Sequence, residues 1–477
     1  MRERHIVIVG AGFSGTALAI NLLRDAVDPL CIHLIDREQI ARGVAYARRP
    51  FPYLLNVPAG RMSASTADPD EFLRFAQRRL PQASAADFLP RELYGDYLAA
   101  TLADAERNAA DTVRLERLYG SVIALERPAR SDTRRVHLAD GRAVDAHEVV
   151  LALGNPPPAD LAATAALAGS ARYVPDPWSA PPLLRSGETV LILGSGLTMA
   201  DLVVAGARGT RGAVTFHALS RRGLLPPPQS GFIPKAAAAG TAALLRAASV
   251  SARELLAAAR TLARDTEARG GDWREAIAVL RTQAPQLWQL LAQVERQRFL
   301  RHLRSYWDIH RHRLPEASWS RLQELRRSGA LTLHAGRLLR LERAGRRVRA
   351  LYQARGTNAT SALVVDRVIN CTGPDYDARR SGERLVRSLI AQGIVSADPL
   401  GIGLATDARG ALLGRDGRTA EDVFYLGPML RATHWETTAV AELREHAAQL
   451  SRHLIDNPRV RALRVVRPQP AHAYASP

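Results

Sequence analysis

The sequence has very little cysteine: Cys31 and Cys371 are the only two in 477 residues, and they lie far apart. This scarcity excludes a disulfide scaffold, a redox pair of the CxxC type and a zinc site built on cysteine. A reducing compartment suits such a chain, so we expect a cytoplasmic protein. Long hydrophobic runs are also missing, because no stretch approaches the roughly 20 apolar residues of a membrane span. We therefore expect no membrane association.

Lysine is almost absent, since Lys235 is the only lysine among 65 basic residues. The net charge of +18 therefore comes from arginines, which are scattered along the chain rather than massed in one tract. A positive field favours anionic ligands, but the scatter argues against a nucleic-acid partner. Three histidines, His302, His310 and His312, lack the spacing that would place three metal ligands on one helix face. We expect no metal site and assign this basic segment to solvent or to a domain interface.

A glycine motif directly follows a β-branched run near the start of the chain. Residues 5–9 predict a strand, and the sequence GAGFSG at 10–15 opens a helix. In a dinucleotide-binding unit the first glycine makes the tight turn, the second lets the backbone approach a diphosphate, and the third brings helix and strand together. Asp36 ends the next strand, where a carboxylate accepts hydrogen bonds from a ribose. The expected cofactor contacts are Gly10, Gly12, Phe13, Ser14, Gly15, Asp36 and Arg37.

A second motif, GSGLTMAD at 194–201, again lies between a predicted strand and a predicted helix. Met199 occupies the third glycine position, which departs from the pattern and predicts looser packing of the helix on the strand. After the next strand the sequence has Ser220, Arg221 and Arg222 instead of an acid, which suits the 2′-phosphate of NADPH. A solvated arginine pair is the alternative. The expected contacts are Gly194, Gly196, Leu197, Thr198, Ser220, Arg221 and Arg222.

Two dinucleotide sites in one chain predict a flavoprotein, with FAD in one site and NADPH as hydride donor in the other. The long loop at 42–66 favours FAD in the first site, because FAD extends beyond its first βαβ unit and needs further cover. We expect an α/β fold with two Rossmann-like domains and a helical insertion. The predicted divisions are 1–160 and 374–466 for FAD, 161–235 and 331–373 for NAD(P)H, 236–330 for the insertion and 467–477 for a loose tail.

Several further segments resemble one family. The chain is similar to two-dinucleotide-binding-domain flavoproteins, and within them to bacterial FAD/NAD(P)-binding oxidoreductases that carry a GVAY and an LLNVPA element. More distantly it resembles flavin-containing monooxygenases and ornithine-type N-hydroxylases. The segments that carry the likeness are GVAY at 43–46, LLNVPA at 54–59, GSGLTMAD at 194–201, SRRG at 220–223, YWD at 306–308, HRHR at 310–313 and WET at 435–437.

The resemblance implies roles for further residues. It places Asn56, Arg61, Met62 and Ser63 near the isoalloxazine, with Asn56, Arg61 and Ser63 as catalytic candidates and Asn56 and Met62 as cofactor contacts. Hydrogen bonds that merely stabilise the loop are an equal alternative for this group. The residues implied for the connectors between the domains and for the backbone near the flavin are Gly154, Thr372, Gly373, Gly427 and Pro428.

Three hypotheses on function follow. The first is an FAD-dependent, NADPH-using monooxygenase that acts through a flavin hydroperoxide on a small substrate, at nitrogen or sulfur. The second is an NAD(P)H-dependent flavin reductase or dehydrogenase with another electron acceptor. The third is a nucleotide-binding sensor or scaffold, which the departure at Met199 favours. The sequence identifies neither the substrate nor the oligomeric state.

Overall fold

A computed structural model describes residues 3–179, 183–210, 214–229 and 240–456. The expected loose tail at 467–477 and the first residues of the expected insertion, 236–239, lie outside them. The described part contains no helix that is both long and apolar enough to cross a bilayer.

The strands, in chain order, are β1 (Arg4–Val9), β2 (Leu30–Asp36), β3 (Val113–Tyr119), β4 (Val122–Glu126), β5 (Arg134–Leu138), β6 (Ala143–Ala146), β7 (Glu148–Leu151), β8 (Tyr173–Val174), β9 (Thr189–Leu193), β10 (Thr215–Ser220), β11 (Leu331–Ala344), β12 (Arg347–Ala354), β13 (Thr360–Val365), β14 (Arg367–Asn370), β15 (Ala411–Leu413) and β16 (Thr419–Tyr425). The helices are α1 (Phe13–Asp25), α2 (Gly43–Tyr46), α3 (Glu71–Gln77), α4 (Arg91–Arg107), α5 (Leu197–Gly209), α6 (Thr241–Val250), α7 (Ala252–Ala268), α8 (Arg274–Leu290), α9 (Gln293–His302), α10 (Arg304–Arg311), α11 (Glu316–Arg327), α12 (Arg384–Ala391), α13 (Arg431–His434) and α14 (Val440–Ile455).

The first domain is built on a sheet of order β15-β16-β7-β1-β2-β3, in which every pair but β15–β16 is parallel. Its central strands are apolar on both faces, as parallel strands covered by helices or a second sheet require. Helices α1, α4 and α14 pack on one face, and the small antiparallel sheet β4-β5-β6 with α12 packs on the other. The chain leaves this domain after β7 and returns to it for α12, β15, β16 and α14.

The second domain has the strand order β13-β12-β11-β10-β9-β14-β8. The strands from β8 to β11 run parallel, while β11, β12 and β13 form an antiparallel extension. Both domains therefore place the strand that precedes a glycine motif, β1 or β9, between its two parallel neighbours. The predicted α/β class with two Rossmann-like domains is confirmed.

The helical insertion lies between β10 and β11, as predicted. Helices α6 to α9 share an apolar core that includes Trp288, and this core continues onto Ile402 and Trp435 of the last part of the first domain. Helix α11 differs, because its Leu322 and Leu325 lie in the core of the second domain. The apolar core shared by the insertion thus ends before α11, and the division at 330 stays a prediction.

Three local features depend on tertiary contacts. The apolar segment 364–370 forms two strands, β13 and β14, because Asp366 interrupts it and its carboxylate accepts a hydrogen bond from Thr189 N. The last helix begins at Val440, after the separate short helix α13. Helix α12 and strand β15 are both short and acquire their burial from tertiary packing.

Candidate functional site

The three glycines of the first motif differ in how much space surrounds them. Gly10 has φ +104°, and a Cβ on it would lie 2.3 Å from the Ala152 carbonyl oxygen. A Cβ on Gly15 would lie 1.9 Å from the Gly10 oxygen. Gly12 is different, because the nearest atom to its Cβ position is the Gly43 Cα at 3.7 Å. Gly10 and Gly15 therefore serve packing, and the open space at Gly12 is available to a ligand.

The start of α1 is arranged to receive negative charge. Gly12 is its N-cap, no side chain in the described part of the protein accepts from the first N–H groups, and the first turn contains no acidic residue. The side chains of Phe13 and Ser14 are buried, so these residues can contribute through their backbone N–H groups. Asp36 at the end of β2 accepts a hydrogen bond of 2.7 Å from Ala11 N. The structure thus brings the predicted carboxylate to the predicted turn.

Arg37 is already engaged by an acidic side chain. Its guanidinium forms an ion pair with Glu383, which lies just before α12, and this pair raises the pKa of Arg37. Both side chains are more than one-third exposed, so the pair is weak and can open.

The resemblance assigns four residues of the loop at 42–66 to the flavin region, and the structure divides them into two groups. Asn56 is half-buried and Arg61 is exposed, and within the described ranges no side-chain hydrogen bond involves either of them. Ser63 is fully buried, and its hydroxyl lies within 2.5 Å of the Asp68 carbonyl oxygen. Met62 is packed in the core of the first domain. Ser63 and Met62 therefore stabilise the loop, which favours the structural alternative for these two residues, and their contact with a flavin stays a prediction.

The second motif repeats the geometry of the first. Gly194 has φ +111°, and a Cβ there would lie 2.3 Å from the Cys371 carbonyl oxygen. No atom of a described residue lies within 4 Å of a Cβ built on Gly196. Helix α5 starts at Leu197, so the half-buried Leu197 and Thr198 form its first turn. Met199 points into the core of the second domain and is fully buried. The departure at Met199 therefore fills space behind the helix and leaves its N-terminus intact.

The arginine pair after β10 divides into an anchored and a free member. Arg222 donates hydrogen bonds of 3.1 Å to the Tyr306 hydroxyl and of 2.9 Å to the His302 carbonyl oxygen. Its guanidinium also lies over the Tyr306 ring. Ser220 holds the turn, since Gly223 N donates to its hydroxyl and Ser195 Oγ lies 2.8 Å from it. The Arg221 side chain is exposed, with no protein partner among the described residues. This arrangement offers one fixed and one free guanidinium to an anion.

An ion pair between the domains was not predicted. Arg91 at the start of α4 donates a hydrogen bond of 2.7 Å to the Asp201 carboxylate on α5. Its Nε donates a second one, of 3.0 Å, to the Leu54 carbonyl oxygen. Burial raises the pKa of Asp201, while the Arg91 charge opposes that shift. Arg91 thus ties the loop of the first domain to the helix of the second glycine motif. Nothing in the local sequence around Arg91 marks it for this role.

The glycines of the two connectors and of the late turn all have positive φ. Gly154 and Gly373 have φ of +69° and +87°, and no atom lies within 4 Å of a Cβ built on either. The Thr372 hydroxyl lies 2.7 Å from the Asn370 side-chain oxygen, so it stabilises the connector itself. Gly427 has φ +151°, and Pro428 starts a single helical turn directly after it. Their approach to a cofactor remains a prediction.

The segments HRHR and WET, more than 120 residues apart, meet in a buried cluster. The Glu436 carboxylate accepts hydrogen bonds from Trp307 Nε1 at 2.9 Å and from Arg311 Nε at 2.8 Å. Burial would raise the pKa of Glu436, but the charges of Arg311 and His312 lower it overall. Trp435 stacks on Trp288 with ring centroids 4.6 Å apart. The basic segment is therefore a domain interface rather than a solvated strip.

A group of three potential metal ligands lies at the opposite end of the first sheet from the glycine motif. Ligand atoms of His5, Cys31 and His33 lie within 4.8 Å of one another. His5 and His33 are already joined by a 3.0 Å hydrogen bond between ring nitrogens. Burial raises the pKa of the Cys31 thiol to about 12, so the thiol is protonated in the absence of a bound cation.

Comparison with known proteins agrees with this geometry. Residues 7–156 match the family described as FAD-NAD(P)-binding. This part of the chain is therefore similar to that family over about 150 residues. Among curated proteins, none matches the sequence of this chain. The remaining evidence from known proteins is therefore structural.

Solved structures match nearly the whole chain. An ornithine N-hydroxylase from Kutzneria sp. 744, described with reduced FAD, NADP+ and L-ornithine, has a TM-score of 0.61 at 15% identity, over 96% of this chain and 100% of its own. L-Lysine 6-monooxygenase from Pseudomonas syringae has a TM-score of 0.62 at 16% identity, over 94% and 98%. Bacillithiol disulfide reductase from Staphylococcus aureus has a TM-score of 0.54 at 9% identity, over 95% and 99%. The chain has the fold of two-dinucleotide-binding-domain flavoproteins, which confirms the expected fold.

Proposed function

We propose that the chain is an FAD-dependent oxidoreductase that takes hydride from NADPH and oxygenates a small molecule. The observation that carries the proposal is the pair of strand-to-helix turns at Gly12 and Gly196. Each begins a helix whose first N–H groups lack a capping side chain, and neither turn holds a Cβ that would exclude a diphosphate. Two such turns, in two domains of one chain, provide for a flavin nucleotide and for its hydride donor.

The first turn fits FAD. Asp36 lies beside the turn, held by Ala11 N, with a carboxylate suited to a ribose. The match of residues 7–156 to the FAD-NAD(P)-binding family supports the same assignment. The loop at 42–66 supplies Asn56 and Arg61 as polar groups that are free to contact the flavin or the substrate.

The second turn fits NADPH better than NADH. Arg221 and Arg222 follow β10, where an acid would bind the free 2′-hydroxyl of NADH. Arg222 is already oriented by Tyr306, and hydrogen bonds from Arg222 and Arg355 lower the pKa of the Tyr306 hydroxyl. A 2′-phosphate at this position would meet the fixed guanidinium of Arg222 and the free guanidinium of Arg221.

When bound, FAD would accept hydride from NADPH and pass the electrons to dioxygen. The contribution of the chain is to orient the nucleotides and to exclude water. Trp288 of the insertion packs against Trp435, which follows Gly427 and Pro428 in the chain. The insertion would therefore shield the predicted flavin position from solvent. A dry site favours oxygenation over wasteful reoxidation. A dithiol reductase is disfavoured, because Cys31 and Cys371 are buried in different domains.

Rapid mixing tests this proposal. The FAD-loaded protein would be reduced anaerobically with NADPH and mixed with oxygen while flavin spectra are recorded, with and without small amines. Amines are the first substrates to try, because the ornithine and lysine enzymes above share the fold. We expect a transient species distinct from oxidised and reduced flavin. Direct return to the oxidised spectrum under every condition would favour a reductase, and failure of NADPH to reduce the flavin would favour a sensor.

Replacing Arg221 and Arg222 with alanine should raise the KM for NADPH far more than the KM for NADH. The loss of two charged hydrogen bonds to a 2′-phosphate is worth about 3 kcal/mol, or on the order of 100-fold. Steady-state oxidation of each cofactor measures the two KM values. Arg327→Ala is a matched control, because Arg327 is an exposed arginine at the end of α11. Equal changes in both KM values would contradict the 2′-phosphate role.

A further inference from the structure

The group of His5, Cys31 and His33 is assembled by the pairing of β1 with β2. In the parallel register His5 lies opposite Cys31, and His33 follows two residues further along β2. Paired positions, and positions two apart on one strand, present their side chains on the same face of a sheet. The three ligand atoms accordingly lie within 4.8 Å of one another, and His5 Nδ1 is 3.0 Å from His33 Nε2.

These separations suit a tetrahedral zinc ion. With Zn–N bonds of about 2.0 Å and a Zn–S bond of about 2.3 Å, the ligand atoms of such an ion lie roughly 3.4–3.6 Å apart. The two ring nitrogens are already close enough, and Cys31 Sγ has to approach them by no more than about 1.3 Å. Cys31 and His33 are buried, but the His5 side chain is 30% exposed and leaves the group open to an ion from solvent.

Each histidine also has a carboxylate beside its second ring nitrogen. His33 Nδ1 lies 3.0 Å from Glu116, and His5 Nε2 lies 3.6 Å from Glu3. Histidines that bind a metal almost always donate their other N–H to such an acceptor, which fixes the tautomer and leaves the first nitrogen free to ligate. A pair of histidines that merely share a hydrogen bond requires neither carboxylate.

The charges around the group can balance a divalent cation. Glu3, Glu116 and a Cys31 thiolate would carry three negative charges, and Arg114, which pairs with both glutamates, carries one positive charge. Burial and the Glu116 charge raise the pKa of the Cys31 thiol to about 12, but a metal ion deprotonates a thiol that coordinates it. Binding would release this one proton to solvent, while the proton between the two rings would move to His5 Nε2, beside Glu3.

We propose that His5, Cys31 and His33 bind one zinc ion, with the fourth position open to water. The site goes beyond the proposed function, because five residues of extended strand place His5 roughly 16 Å from Gly10. The ion would hold β1 to β2 and stabilise the first domain without contacting the flavin. The proposal replaces our expectation of no metal site, which rested on spacing along the chain, whereas His5 and His33 are 28 residues apart and meet through strand pairing.

Metal titration of the FAD-loaded protein tests the proposal. The protein would be treated with a chelator, checked for its FAD content and titrated with Zn²⁺ by calorimetry. We expect one ion per chain and a Tm that rises with zinc, because the ligands come together only in the folded chain. Co²⁺ in place of zinc should give the d–d absorption of a tetrahedral site, to the red of the oxidised flavin bands. Absence of zinc binding, or a Co²⁺ spectrum like that of the free hydrated ion, would overturn the proposal.

Matched variants distinguish this site from adventitious binding to surface histidines. Cys31→Ala and His5→Gln should each weaken zinc binding at least about tenfold, since even the outer partners of metal ligands contribute about 10–100-fold. The controls are Cys371→Ala, at the buried cysteine of the second domain, and His137→Gln, at a histidine that also lies beside a carboxylate. Both should bind zinc as the wild type does. His5 is only half-buried, so His5→Gln decides the question if Cys31→Ala does not fold.

The proposal fails if the site variants keep the wild-type affinity for zinc, or if the controls lose as much affinity as the site variants. None of these readouts depends on flavin reduction or on oxygen, so failure of the proposed function would be recognised separately.

Discussion

Gly12→Val will give a folded protein that no longer retains FAD. Gly12 has φ −72° and ψ −161°, an extended conformation that valine adopts without strain, and its Cβ would meet protein only at 3.7 Å. The added methyl groups would instead occupy the space through which a diphosphate approaches the start of α1. We expect FAD binding to weaken by more than about 100-fold, or ~3 kcal/mol. Flavin absorbance per chain after purification measures retention, and circular dichroism checks the fold.

Gly196→Val is the matched variant in the second domain. Gly196 has φ −87°, and its Cβ position has no neighbour within 4 Å. We expect this variant to keep its FAD while losing reduction by NADPH. Gly12→Val should therefore lose FAD, whereas Gly196→Val should keep FAD and lose its reaction with NADPH. A general loss of stability would not produce this difference. A yellow Gly12→Val protein, or a Gly196→Val protein that NADPH still reduces at the normal rate, would contradict the assignment of the two turns.

The glycine turns could be predicted because their determinants are local. At Gly10 and Gly194 the backbone has positive φ and passes within van der Waals reach of a carbonyl oxygen, so glycine is required whatever the rest of the chain does. The flanking apolar runs then identify the strands and helices. The same local logic predicted Asp36, which lies at the end of the strand where the unit needs an acid.

The contacts between domains could not be predicted, because no local pattern encodes them. Arg91 and Asp201 are 110 residues apart, and each looks like an ordinary charge on a helix. The packing of Ser63 and Met62 could not be predicted either, since a loop with the composition of a binding loop uses these side chains to stabilise itself. Resemblance marked HRHR and WET as segments of interest, but their contact through Glu436 is visible only in the structure.

Glu436→Gln should be among the most destabilising single substitutions in the chain. It keeps an acceptor for Trp307 but leaves Arg311, only 7% exposed, without its main counter-charge. Removing one partner of a buried ion pair costs about 3–5 kcal/mol, and the remaining carboxylate of Glu442, 3.8 Å from Arg311, places the expected loss near the lower value. Urea unfolding at neutral pH measures it. Glu324→Gln is the control, because it breaks an exposed pair with Arg321 that is worth at most about 1 kcal/mol.

The double variant Arg311→Met with Glu436→Gln separates the pair from the packing around it. Removing both charges takes away the uncompensated cation while it keeps the side-chain volume, so stability should return to within about 1 kcal/mol of the wild type. Recovery would show that the interface between insertion and first domain depends on charge balance and tolerates a neutral pair. If Glu436→Gln is no more harmful than Glu324→Gln, or if the double variant is the less stable of the two, the ion pair does not have this role.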